Sequence, residues 1–131
     1  YRVKEFAESY SITTRSRLAG LKSGLSTRLG AALRQAGAEV QRQATHRKLV
    51  LVITDGEPSD VDVPDTTYLV EDARKAVQAL AARGIDVFGV GLDSDGSTYL
   101  RRILGNRNHV VVNSVASLPQ KLPMLYLRLT L

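Results

Sequence analysis

The chain of 131 residues contains no cysteine, which excludes disulfides and zinc–thiolate sites and is compatible with a reducing compartment. It also lacks any apolar run approaching the roughly 18 residues that a membrane-spanning helix needs, and its first residues do not follow the basic, apolar, small-residue order of a signal peptide. The sequence therefore reads as a soluble protein, with a cytoplasmic location as the expectation. Several catalytic signatures are missing too. No serine sits in a Gly-x-Ser-x-Gly setting, and no glycine-rich loop has P-loop or dinucleotide-binding spacing. Neither His46 nor His109 has a His, Cys or Glu at metal-ligand spacing, so both read as structural.

Carboxylates are absent from residue 97 onward, and their distribution upstream is uneven. Residues 1–48 hold ten Lys/Arg against three Asp/Glu, residues 49–96 hold three against ten, and residues 97–131 hold five against none. The net charge of +5 thus conceals an acidic middle between two basic ends. A nucleic-acid site needs a basic surface clear of carboxylates. Here the loop with the most functional promise is the acidic one, and the dispersed arginines read as solvated helix faces. Nucleic-acid binding is not expected. What is present, 44% apolar and 24% charged residues, suffices for one globular core.

Periodicity divides the chain into alternating elements. Tyr1–Phe6 (YRVKEF) alternates apolar and polar residues and predicts a half-buried strand. Because a domain seldom opens in mid-strand, further residues upstream are expected in the native protein. A short helix is expected over Ser11–Leu21. A longer one should begin beside Thr27 and end near Ala44, with Leu29, Ala32, Leu33, Ala36 and Val40 on one face. Lys48–Ile53 (KLVLVI) is apolar on both faces and too short for a helix, which predicts a central parallel strand. The segment Thr54–Asp65 holds turn formers and five carboxylates and must be a loop. Thr66 or Thr67 is expected to cap the next helix, whose first turn Glu71 and Asp72 favour and which Gly84 stops. Ile85–Gly91 predicts a second buried strand, Ser97 the cap of a short helix ending at Gly105, and His109–Val112 a last strand. The tail from Leu118 predicts a terminal helix that cannot run smoothly through Pro123. This order predicts an α/β, doubly wound, mostly parallel sheet with helices on both faces, and a ligand site beyond the carboxyl ends of the strands.

Two residues then stand out. Asp55 directly follows the LVLVIT strand, where hard carboxylate oxygens suit magnesium, manganese or calcium, although an Asp-Gly turn that only binds its own backbone has the same appearance. Thr27 offers a hydroxyl at a helix start directed to the same end of the sheet, although an ordinary N-cap reads identically. The other acids of the loop, Asp60, Asp62 and Asp65, read as solvated, and Asp93–Ser97 (DSDGS) as a turn and helix cap.

The stretch Ser26–Ala32 (STRLGAA) followed by Leu49–Pro58 (LVLVITDGEP) resembles the von Willebrand factor type A domain. The opening VKEF, the TDGEPSD loop, the Glu71-Asp72 helix entry and the closing LPQKLPMLYLRL are similar to one branch of it, the C-terminal A domains of bacterial adaptors that activate nitric oxide reductase or Rubisco. That resemblance implies a non-catalytic protein-interaction domain with a metal-ion-dependent adhesion site. Thr27 and Asp55 match its threonine and its strand-Thr-Asp-Gly aspartate. It implies a magnesium ion, or another divalent cation, through which an acidic residue of a partner is recognised, and a MoxR-type AAA+ ATPase and its target enzyme as partners. The Asp-x-Ser-x-Ser loop of the family occurs nowhere in the sequence, so the resemblance also implies that residues 1–131 are the C-terminal two-thirds of the domain, without its N-terminal strands and part of its metal shell. An Asp at a strand end is equally suited to magnesium-dependent phosphoryl transfer, the alternative reading, which needs a second acidic ligand and a cation to hold phosphate.

Overall fold

The computed structural model describes residues 1–131. Five α-helices and three strands follow one another as α1 (Ile12–Ala19), α2 (Leu29–Gln41), β1 (Lys48–Thr54), α3 (Thr66–Ala82), β2 (Ile85–Gly91), α4 (Gly96–Leu104), β3 (His109–Val111) and α5 (Leu118–Thr130), with a single 3₁₀ turn at Val115–Ser117. The sheet is wholly parallel in the order β1-β2-β3, with Lys48 opposite Ile85 and Thr54 opposite Gly91, and Gly89 opposite His109. Parallel strands need crossovers, and α3 and α4 supply them.

Two cores lie on the two faces of this sheet. On one face, Val50, Ile85 and Val87 pack with Leu33 of α2, Val70, Ala73, Ala76 and Leu80 of α3, and Tyr99, Leu100 and Ile103 of α4. On the other, Phe88, Val90 and Val112 are covered by Leu118, Leu122, Leu125 and Leu129, which recur along α5 at helical spacing. The fold is thus α/β and doubly wound, with helices on both faces as the element order implied.

Several expectations are corrected. Tyr1–Phe6 is not a strand; the segment is irregular, with Tyr1 and Phe6 exposed. Alternation describes a pleat only where a neighbouring strand supplies hydrogen bonds, and none pairs with this segment. The first strand of the sheet, β1, is an edge rather than a centre, paired with β2 on one side only. Its inward residues Val50 and Val52 join the larger core, whereas on the other face Leu49 packs into the smaller core and Leu51 and Ile53 remain 37% and 47% exposed. The helix after the acidic loop is capped by Asp65, whose carboxylate accepts from the Thr67 N–H at 3.0 Å, not by Thr66 or Thr67. Glu71 and Asp72 lie beyond its first turn, where they form ion pairs with Arg102 and Arg34. Ser97 lies inside α4, whose N-cap is Asp95. Finally, α5 continues through Pro123. The carbonyl that this proline leaves without a donor belongs to Pro119, an exposed residue in the first turn, so it is not left unpaired in a dry interior.

Candidate functional site

The rim at the carboxyl ends of the strands is built from the loop after β1, the loop before α2 and the turn after β2. Asp55 and Gly56 follow the last residue of β1, and the Thr54 hydroxyl ties the turn by donating to the Gly56 carbonyl at 2.8 Å. Pro58 is fully buried and anchors the loop, and Ser59 then meets the segment before α2. There Thr27 forms an isolated antiparallel bridge with Ser59, its N–H donating to the Ser59 carbonyl at 2.7 Å. Leu25, left-handed at φ 63° and exposed, turns the chain into this bridge. Thr27 and Asp55 are therefore on the same rim of the sheet, carried by two segments joined through a backbone hydrogen bond.

Thr27 is not the helix cap. The N-cap of α2 is Arg28, without a side-chain capping bond, and Thr27 is an exposed residue before it. Neither the Thr27 hydroxyl nor the Asp55 carboxylate takes part in a side-chain hydrogen bond or ion pair, whereas most other carboxylates of the rim are engaged. Asp93, two residues after β2, accepts from the Tyr99 hydroxyl at 2.8 Å. Burial first, then the Asp93 hydrogen bond and charge, push the Tyr99 phenol far above its ordinary range, with the Asp55 charge adding to the shift and Thr54 opposing it. Tyr99 is consequently a permanent donor.

Asp60 corrects a further expectation, for it is not solvated. Its side chain is 1% exposed and takes hydrogen bonds from the Ser26 hydroxyl and the Asp62 N–H, each at 3.0 Å, and from Arg28 Nε. These bonds hold its carboxyl below the ordinary carboxylate range: the Asp62 N–H contributes most, Arg28 next, burial opposes, and Ser26 adds. Sequence patterning missed this residue because a charge in a loop of five carboxylates has no periodicity to distinguish it. Asp62 stays open, 78% exposed, at 3.4 Å from the second nitrogen of Arg28.

Chemically, the rim offers hard oxygen donors to a cation. No three His, Cys, Asp or Glu side chains converge closely enough to form a protein-only metal cage. The fit to a divalent cation rests on the donor chemistry of Thr27 and Asp55 and on their freedom from other partners. One hydroxyl and one carboxylate would supply only two of the about six oxygens that magnesium takes.

A parallel α/β sheet with an Asp-Gly turn at the end of a strand and a threonine loop bridged to it defines the class of protein. The von Willebrand factor type A domain matches residues 8–123, and the chain belongs to that family. Among its relatives, the protein NorD of Brucella melitensis is 41% identical over 124 residues, covering 95% of this chain and 20% of its own length. The protein NorD of Stutzerimonas stutzeri is 36% identical over 110 residues, covering 84% of this chain and 18% of its own. An uncharacterized protein of Pseudomonas aeruginosa is 35% identical over 127 residues, 97% of this chain and 21% of its own. The chain spans about a fifth of the length of these curated relatives. No solved structure matches.

Proposed function

We propose that this domain is a non-catalytic docking module that recognises an acidic side chain of a partner protein through a magnesium ion, or another divalent cation, held by Thr27 and Asp55. The observation that supports this reading is the Thr27–Ser59 bridge, which joins the segment carrying Thr27 to the loop carrying Asp55. An ion with so few protein ligands keeps coordination positions open, and a carboxylate from another molecule can complete them. Likeness to proteins named NorD supports an adaptor or protein-interaction role. On the reading proposed here, the domain would help a MoxR-type AAA+ ATPase act on a target enzyme, nitric oxide reductase or Rubisco. A cytoplasmic location belongs to the same reading; no helix is long and apolar enough to cross a membrane.

Phosphoryl transfer is less well supported. Its second carboxylate would be Asp93, which is already engaged by Tyr99, and no lysine follows a strand to hold phosphate.

Calorimetric magnesium titration tests the docking reading. Weak but measurable binding is expected for this chain, with Asp55→Ala abolishing it. Tight binding by this chain, or binding indifferent to Asp55→Ala, contradicts the reading. Magnesium-dependent phosphatase turnover that Asp55→Ala removes would favour the enzyme instead.

A further inference from the structure

Both chain neighbours of Thr27 are tied to one buried carboxylate. Ser26 donates its hydroxyl to Asp60 Oδ1 at 3.0 Å, and Arg28 donates Nε to Asp60 Oδ2. Ser26 also accepts the Val61 N–H at 3.3 Å, so one serine oxygen binds the acidic loop through both side chain and backbone. The loop closes on itself as well: Asp60 pairs with Val63 in an isolated bridge, and the Asp62 N–H returns to Asp60 Oδ1. The backbone turns at Arg28, where the Leu29 N–H donates to the Thr27 carbonyl at 3.0 Å. With both neighbours engaged by Asp60, Thr27 itself stays exposed.

We propose that Asp60, gripped by Ser26 and Arg28, is a positioning residue that locks the loop before α2 onto the loop after β1 and thereby fixes the Thr27 hydroxyl relative to the Asp55 carboxylate. The inference rests on the cation site proposed above and deepens it. A charged pair buried on one side and fully hydrogen-bonded is costly to form without geometric return. Its return here is rigidity between two loops that share no helix or strand. With only two protein ligands, the entropy of holding them together is a large share of the cost of binding an ion, so prior ordering acts directly on affinity.

The test compares Asp60→Ala, Asp60→Asn and Asp55→Ala by manganese binding, followed by electron paramagnetic resonance, and by hydrogen exchange at the Thr27, Val61 and Asp62 amides. Asp60→Ala is expected to speed exchange at all three amides and to weaken manganese binding about tenfold or more, the range seen when groups that orient metal ligands are removed. Asp60→Asn, which keeps an acceptor for Ser26 but loses the charged oxygen that accepts from Arg28, should fall between Asp60→Ala and the parent. Should Asp60→Ala fail to fold, Ser26→Ala removes one donor and leaves the Arg28 pair in place. It should lower affinity at temperatures where the variant remains folded, and Ser26→Thr, which keeps the hydroxyl, should restore it. Unchanged exchange at Thr27 in the Asp60 variants, or in Ser26→Ala, overturns the lock whatever the cation does. Unchanged manganese affinity in those variants, with affinity lost in Asp55→Ala, overturns the positioning role and leaves the site standing. Affinity indifferent to Asp55→Ala overturns the site itself and the inference with it.

Discussion

Asp72 illustrates how a single side chain joins two elements. From α3 it accepts from both terminal nitrogens of Arg34 on α2, at 2.7 and 3.1 Å, in the forked geometry that a guanidinium favours. The Arg34 hydrogen bond holds its carboxyl below the ordinary range, with burial opposing and the Arg34 charge assisting. A carboxyl whose folded value is depressed contributes stability that is present above its unfolded value, near about 3.9. That contribution disappears as pH falls through the lower folded value. Asp72→Asn is therefore expected to be less stable than the parent at pH 7. Because both partners are partly exposed, the loss should be about 1 kcal/mol or less. The difference should begin to shrink as pH falls below about 4, where the unfolded chain takes up its proton, and vanish only below the lower folded value. Urea denaturation at pH 7 and pH 3 measures this; a difference that does not shrink, or grows, in acid would show that the pair acts by something other than charge.

At the scale of elements, α2 and α3 pack closely because α2 has glycine where α3 approaches. A Cβ at Gly30 would meet Asp72 Oδ2 at 2.0 Å, and one at Gly37 would meet Leu80 Cδ2 at 2.1 Å. Leu80 is 2% exposed in the larger core and has nowhere to retreat. Overpacking a core costs about 1–3 kcal/mol, and replacing glycine by alanine in a helix returns about 1 kcal/mol. Gly37→Ala is accordingly expected to destabilise by about 0–2 kcal/mol net. In a Leu80→Val background, which deletes the clashing methyl, the same substitution should be neutral or stabilising. A double-mutant cycle by chemical denaturation reads this coupling, and strict additivity would exclude the contact as its cause. Periodicity made α2, α3 and their apolar faces legible beforehand. The partners of the small positions were not legible, since a glycine carries no hydrophobic signal.

For the whole molecule, the distribution of covering helices matters most. Within residues 1–131, three helices cover one face of the sheet and one covers the other, so in this polypeptide β1 presents a free edge seven residues long together with uncovered Leu51 and Ile53. Unpaired strand edges of this kind template association with other chains. Concentration-dependent self-association is expected by sedimentation velocity, and Leu51→Lys combined with Ile53→Lys should reduce it without altering the far-ultraviolet circular dichroism. Persistent association in that variant would move the contact elsewhere.

The sequence alone determined the order of helices and strands from α1 onward and the parallel class of the sheet, because hydrophobic period and turn chemistry are local. It misjudged Tyr1–Phe6 and the position of β1, since whether a strand is central, at an edge or not a strand depends on which neighbour offers hydrogen bonds. Only the tertiary structure decided that Asp60 is buried while Asp55 stays free. Both are loop aspartates, and what separates them is the presence of Ser26 and Arg28, more than 30 positions away from Asp60 in the chain but hydrogen-bonded to it and not to Asp55.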